Sequence, residues 1–295
     1  MKRFKKYLVV TGGCGFVGSN LIKLLISKTK FNIISIDDYS SGFRKNQIKN
    51  ERIEYINCNT INISKVLNKR SNAIKALFHF GEFSRIYQSF SKMEKCIQSN
   101  LIGTAEVFKF CLKNKIKLIY SATSASLGNR GNDKNLSPYS FSKTQNLEFL
   151  ENLKKWFNFK YEIIFFYNVY GPGQIKVGKM ATVIGIFENY FSKKKPLPVV
   201  RPGSQSRRFT HIDDTIKVCY YAWRKNKCRF YSITNKKSYT ILEVAKLFNT
   251  KIQFLPFRRG ERFASALTKL SLSNKIYRFY GKKDLKDYIK NIVTK

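Results

Sequence analysis

Residues 7–38 read YLVVTGGCGFVGSNLIKLLISKTKFNIISIDD, and the order of textures in this stretch decides the fold. Tyr7 to Thr11 is a short apolar, β-branched run, suited to a parallel strand buried on both faces. Gly12, Gly15 and Gly18 follow it, evenly spaced. Gly12 permits a tight turn, Gly15 lets backbone approach a pyrophosphate, and Gly18 lets a helix pack closely on the strand. The helical pattern from Phe16 to Ser27, with Phe16 and Val17 in its first turn, aims its N-terminal N–H groups at such an anion. A second apolar run, Phe31 to Ile36, closes in Asp37 and Asp38, where a carboxylate accepts hydrogen bonds from an adenosine ribose. Three glycines alone carry little weight. Strand, glycine turn, helix, strand and acid in that order predict a dinucleotide site rather than a plain packed βαβ unit.

The rest of the chain sets the frame for that unit. Its 295 residues suffice for a full core, as one large domain or two unequal ones, and a 43% apolar share marks it as globular. Lys and Asn interrupt every hydrophobic run, so none is long enough to span a bilayer. The basic start MKRFKKYLVV runs directly into the glycine turn and reads as the first strand, not as a secretion signal. Six cysteines (Cys14, Cys58, Cys96, Cys111, Cys219 and Cys228) form no C-x-x-C pair, and there are only two histidines. That argues for reduced thiols, a cytoplasmic setting and no metal site. The net charge of +38 is spread along the chain. This favours lysine at exposed positions generally over a nucleic-acid surface, though a basic exterior also draws polyanionic small substrates.

Taken in order, Arg52 to Cys58 and Ala73 to Phe80 read as the third and fourth strands, with a weak helical pattern over Ile61 to Arg70. Gly81 follows where a cofactor would pass close to backbone. Lys92 to Asn114 carries helical periodicity, and Lys117 to Thr123 is a fifth strand that delivers Ser121, Thr123 and Ser124. Ser137-Pro138 opens a helix with Tyr139 and Lys143 on one face. Tyr161 to Asn168 is a sixth strand. The alternation predicts a Rossmann-type, doubly wound parallel α/β sheet over residues 1–170. Residues 171–295, with their Pro, Gly and Arg, predict a smaller α/β substrate domain over the carboxyl ends of the strands, from which about 207–226 returns to the first domain. Thr268 to Lys295 reads as helical.

Tyr139 and Lys143 are the pair on which chemistry rests. A phenol ionises near pH 10, and an ammonium one helical turn away is expected to lower that value. With the Thr123 hydroxyl beside it, such a phenolate removes a proton from an alcohol while a nicotinamide takes the hydride. His79 reads as a satisfied structural histidine, and His211 as structural or close to phosphates.

At this point the chain resembles the extended short-chain dehydrogenases/reductases of the NAD-dependent nucleotide-sugar epimerase/dehydratase family. TGGCGFVGSN, IDDYSSG, HFGEF, NLIGT, SATSASLG, PYSFSK, FFYNVYGPG, RRFTHIDD and FRRGE occur in the family's order over nearly the whole chain. The resemblance implies NAD as cofactor, with Gly12, Gly15, Phe16, Val17 and Gly18 at its pyrophosphate and Asp37 and Asp38 at its ribose. Asn59 stands where the family usually has an adenine-contacting acid. Gly81, Asn100, Tyr139 and Lys143 complete the cofactor set. Thr123, Tyr139 and Lys143 are the implied catalytic triad. Ser124, Asn168, Arg207, Arg258 and Glu261 are the implied contacts to a nucleotide sugar. The related dehydratases carry an Asp-Glu pair after the threonine, and Ser124 and Ala125 cannot supply that acid and base. The resemblance therefore implies C4 epimerisation of a UDP-hexose by a homodimer. A nucleotide-sugar reductase, dehydrogenase or dehydratase is the alternative within enzymes, and a catalytically idle polyanion or RNA binder the alternative outside them. Arg85 reads as a surface partner of Glu82 or Glu94, or else as a sugar contact.

Overall fold

The computed structural model describes residues 5–127, 135–225, 227, 230–258 and 276–294. The apolar run Tyr7–Thr11 is β1, and the glycine turn leads into α1, Phe16–Lys28. β2 (Asn32–Asp37), β3 (Ile53–Asn57), α2 (Ile63–Leu67) and β4 (Ile74–His79) follow, then α3 (Ile86–Ser91), α4 (Met93–Ile97) and α5 (Thr104–Lys113). Next come β5 (Lys117–Thr123), α6 (Pro138–Phe157), β6 (Tyr161–Phe166) and β7 (Val169–Tyr170). The second half supplies α7 (Val183–Ser192), β8 (Leu197–Val200), β9 (Ser206–Arg207), β10 (Thr210–His211), α8 (Ile212–Lys225) and β11 (Phe230–Thr234). It ends with β12 (Tyr239–Thr240), α9 (Ile241–Lys246), β13 (Ile252–Leu255), β14 (Ile276–Tyr280) and α10 (Leu285–Val293).

Eight strands form one sheet in the order β14-β11-β6-β5-β4-β1-β2-β3. Every neighbouring pair in it is parallel. The chain winds outward in both directions from β1 and β4, so the crevice at their carboxyl ends is the topological switch point where such sheets bind ligands. On one face the sheet packs its Val9, Ile34, Leu118 and Ile163 against Phe108 of α5 and Leu150 of α6. On the other, Leu8, Val10, Phe78 and Ile164 meet Leu21 and Ile22 of α1 and Cys219 of α8. A third core joins Phe187 of α7, Val199 of β8, Val244 of α9 and Ile289 of α10 in a smaller lobe.

Two expectations about secondary structure hold only in part. The helix read over Lys92 to Asn114 runs from Met93 to Lys113 but changes pitch through a π-helical stretch, Gln98–Gly103. Gly103 there sits so close to Thr60 that a Cβ would come within 2.4 Å of its hydroxyl. The Asn100 carbonyl accepts from Asn146 Nδ2 at 2.7 Å. The helical reading of Thr268 to Lys295 also fails in part, because Ile276–Tyr280 is an edge strand beside β11. Together with β11 it brings more of the second half back into the large sheet than 207–226 alone, so a boundary at residue 170 does not separate the two lobes.

Candidate active site

A cleft of about 1160 Å³ opens over the carboxyl ends of the strands, between the sheet and the smaller lobe. At one end lies the glycine turn. Gly12 has φ +67°, and a Cβ on Gly18 would stand 2.1 Å from the Gly12 carbonyl oxygen, so the close packing of α1 on the turn requires glycine. Gly15 is the N-cap of α1 and offers no side-chain cap. A Cβ there would meet only the Gly12 carbonyl, at 3.1 Å, and otherwise project into open space. The first-turn N–H groups, unserved by a cap, are thus a cradle for an anion, with Phe16 and Val17 on the cleft wall.

Asp37 closes β2 beside this turn. Its oxygens accept from the Cys14 N–H at 2.9 Å and the Tyr39 N–H at 2.8 Å, and burial raises its carboxyl above the usual range. Asp38 is exposed on the cleft, held by Asn59 Nδ2 at 2.9 Å. Asn59 itself accepts from the Ile61 N–H and so fixes the chain after β3. Gly81 lines the cleft, yet its small size also has a packing reason: a Cβ would lie 2.9 Å from the Gly12 nitrogen. Asn100 departs from expectation. It is fully buried and absent from the cleft wall, because Oδ1 accepts from the Phe83 N–H at 2.6 Å while Nδ2 donates to the Phe83 carbonyl at 3.0 Å. Its side chain braces the loop after β4 rather than facing a cofactor.

The other half of the cleft holds Thr123, Tyr139 and Lys143. Pro138 starts α6 behind a reciprocal cap between Ser137 and Ser140, which sets Tyr139 in the first turn. The Tyr139 phenol and the Thr123 hydroxyl both line the cleft, close enough for the hydroxyl to act on the phenol's ionisation. Lys143 donates to the Ser121 carbonyl at 2.6 Å and pairs with Glu82 Oε2. Glu82 Oε1 accepts from Tyr120 at 3.0 Å, from Thr104 at 3.1 Å and from Asn146 at 3.3 Å. Thr104 contacts His79 Nε2 at 2.9 Å, and His79 Nδ1 contacts the Thr11 hydroxyl at 2.7 Å. Thr11 in turn accepts from the N–H groups of Phe80 and Gly81, at 3.1 and 3.0 Å. His79 is therefore fully satisfied inside the core, and burial pushes its pKa down to about 4.

The electrostatics differ from the expected ones. Tyr139 is pushed up to about 12, not down. Burial is the chief cause, the Thr123 hydroxyl opposes it, and the nearby Glu82 carboxylate adds to it. The Lys143 ammonium that was to stabilise the phenolate is already paired. Burial also lowers Lys143 itself, with Glu82 acting against that fall. Arg85 is not a surface partner of Glu82 or Glu94: its Nε donates to the Met180 carbonyl at 3.0 Å, and Nη2 reaches the same oxygen. It lines the cleft with Tyr139, and among the described residues no carboxylate lies within ion-pair distance of it.

Toward the smaller lobe, Ser124, Asn168, Arg207 and Arg258 line the cleft. Asn168 adopts φ +25° and donates to the Arg208 carbonyl at 3.0 Å. Arg207 is buried, with Nη1 on the Ser206 carbonyl at 2.9 Å. The Arg258 guanidinium sits 5.3 Å over the ring of Tyr87, across the mouth of the cleft. Glu261 lies outside the described residues, as does most of the 127–135 loop. His211 packs edge-on against Tyr170 and Tyr288, away from the cleft wall. Five cysteines are free thiols, and Cys228 lies outside the described residues.

The model of the NAD dependent epimerase/dehydratase family matches residues 8–233. The chain belongs to that family. An ADP-L-glycero-D-manno-heptose-6-epimerase from Brachyspira hyodysenteriae is 27% identical over 254 residues, which is 81% of this chain and 79% of the relative. A putative UDP-glucose 4-epimerase from Methanocaldococcus jannaschii is 26% identical and covers 97% of each chain. The crystal structure of a UDP-glucose 4-epimerase from Thermotoga maritima shares the fold, with a TM-score of 0.85 and 23% identity over 98% of this chain and 97% of that one. Within this epimerase/dehydratase family member, the site residue that sequence reading passed over is Glu82. The signal was there: an acid directly after Gly81, on the carboxyl edge of β4, in a stretch otherwise apolar or small.

Proposed function

We propose that this chain epimerises a UDP-hexose at C4, with NAD as its resident cofactor. The reading is carried by Thr123 and Tyr139 standing together on the cleft wall, with Lys143 one turn along α6. NAD, when bound, supplies a hydride acceptor that also returns the hydride. Tyr139 removes the proton from the sugar hydroxyl and Thr123 holds the same oxygen. Ser124 and Ala125 behind Thr123 offer no additional acid or base. Among the described residues the carboxylates on the cleft wall are Asp37, Asp38 and Glu82, and Glu82 is engaged by four donors. That favours simple oxidation and re-reduction over elimination.

The uncapped N-terminus of α1, with its glycine cradle, supports a dinucleotide pyrophosphate, and Asp37 and Asp38 support its ribose. Arg207 and Arg258, with Asn168, suit a substrate diphosphate, since a guanidinium fork matches phosphate oxygens. Incubation with UDP-glucose and UDP-galactose tests the reading. Each sugar is expected to give the other with no net change in reduced-cofactor absorbance. Stoichiometric consumption of added NAD or NADH, or a product that has lost water, overturns it. We further propose a homodimer. Met93 and Trp156, 57% and 62% exposed on α4 and α6, leave an apolar face for a second copy.

A further inference from the structure

We propose that Glu82 is a positioning residue for the hydroxyl chemistry: its buried carboxylate locks Lys143 against the Ser121 carbonyl and cancels the ammonium's charge, leaving Arg85 as a cation on the Tyr139 side of the cleft with no carboxylate partner among the described residues. The proposal rests on the reading of Tyr139 as the proton acceptor. Its ground is geometric. The Glu82 side chain is 2% exposed and that of Lys143 4%. Donors from three elements converge on Glu82: Lys143 and Asn146 from α6, Thr104 from α5 and Tyr120 from β5. Desolvating two charges is expensive, and a fold holds such a pair only where every lone pair and proton has a partner. Glu82 meets that condition, and Lys143 also lies 4.6 Å over the Tyr120 ring.

The groups that face Tyr139 come from every element around it. α6 brings Lys143, the loop after β4 brings Glu82 and Arg85, β5 brings Thr123 and the Tyr120 phenol, and α4 brings the Cys96 thiol. Among these, Glu82 and Cys96 oppose the phenolate, whereas Arg85 favours it. In the ordinary arrangement an ammonium one turn away does the favouring. Here that ammonium has a counter-ion of its own, and the favouring charge lies on Arg85.

Glu82→Gln keeps the shape and the acceptor but removes the charge. Tyr139 then loses a neighbour that raises it, and Lys143 loses a neighbour that raises it, so both give up their protons at lower pH. In a profile of kcat/KM against pH on a UDP-hexose, both limbs are expected to move to lower pH by about one unit. A lower maximum with unmoved limbs marks a merely structural Glu82 and overturns the proposal. A substrate-free readout separates this from the functional reading. Carbon NMR of protein labelled at the tyrosine Cζ, with Tyr139→Phe for assignment, follows the phenol directly. The parent resonance is expected to stay at the neutral shift through the usual tyrosine range of about 10, and that of Glu82→Gln to titrate at lower pH than the parent's. Identical titrations overturn the proposal whether or not any sugar is turned over. If Glu82→Gln does not fold by circular dichroism, Arg85→Gln carries the same test with opposite sign. Tyr139 must then be harder to ionise than in the parent, and an unmoved resonance overturns the proposal.

Discussion

Lys143→Met removes the ammonium and leaves the Glu82 carboxylate in a site where 2% of its side chain sees solvent. Oε2 then loses its donor, while Oε1 keeps the neutral hydrogen bonds from Tyr120, Thr104 and Asn146. Breaking a buried ion pair from one side costs about 3–5 kcal/mol, because the surviving charge is uncompensated. The three remaining bonds place this case near the lower bound, at about 3 kcal/mol. For a chain of this size that is a fall in Tm of roughly 6–12 °C. The double variant Lys143→Met, Glu82→Gln removes both charges together and keeps an acceptor on Oε1. It is expected to return to within about 1 kcal/mol of the parent, a coupling of at least about 2 kcal/mol between the two sites, larger by whatever Glu82→Gln costs alone. Thermal denaturation of the parent, both singles and the double, followed by circular dichroism at neutral pH, measures the cycle. A double variant as unstable as the two single losses added together would show the pair to be uncoupled and refute the reasoning.

His79, held down to about 4 from 6.5, must stay neutral to stay folded. The unfolded chain binds its proton first as pH falls, so about 3 kcal/mol of stability is lost between pH 6.5 and pH 4, and urea unfolding across that window measures it; a flat profile removes the linkage. Gly18→Ala places a methyl 2.1 Å from the Gly12 carbonyl oxygen, so α1 must shift and NAD affinity is expected to fall at least about tenfold by calorimetry. An unchanged Kd contradicts that. Arg85→Ala is expected to raise KM sharply for an acidic sugar such as a UDP-uronate, and equal kinetics on every sugar tested remove Arg85 from substrate recognition. Light scattering is expected to report twice the 34.4 kDa chain mass; a value near 34.4 kDa at micromolar concentration refutes the dimer.

The parallel sheet was legible because its strands are short apolar runs closed by glycine, acid or hydroxyl residues, and β5 runs from Lys117 to Thr123, the very bounds its residues suggest. What the sequence hid was three-dimensional. Ile276–Tyr280 reads IYRFY, β-branched and aromatic, but too short beside its helical flank to be set apart, and its place in the sheet comes from pairing with β11, over forty residues earlier. The π-helical turn at Gln98–Gly103 answers to Thr60 and Asn146, which lie in other elements. The pair at the centre of the site was half visible. Tyr139 and Lys143 stand four apart on one helix, but the carboxylate that claims Lys143 comes from the far side of β5 in sequence, and a one-turn electrostatic rule cannot anticipate it. Asn100 failed similarly, because an amide that completes a backbone pair at Phe83 looks in sequence like any polar residue near a cleft.

Thr104 donates its proton to Glu82, so the only hydrogen it can receive from His79 is the one on Nε2. Thr11 receives two amide hydrogens and therefore gives its own to His79 Nδ1. Each link in this file dictates the sense of the next, and the imidazole is frozen in a single tautomer. Reversing one member requires all of them to turn, and would leave the carboxylate facing an oxygen lone pair. The file thus has a direction, running from the amides of Phe80 and Gly81, beside the glycine turn, to the carboxylate that holds Lys143. The two halves of the cleft, built by different strands, are joined beneath the floor by five oriented dipoles, anchored at one end by main-chain amides and at the other by a carboxylate.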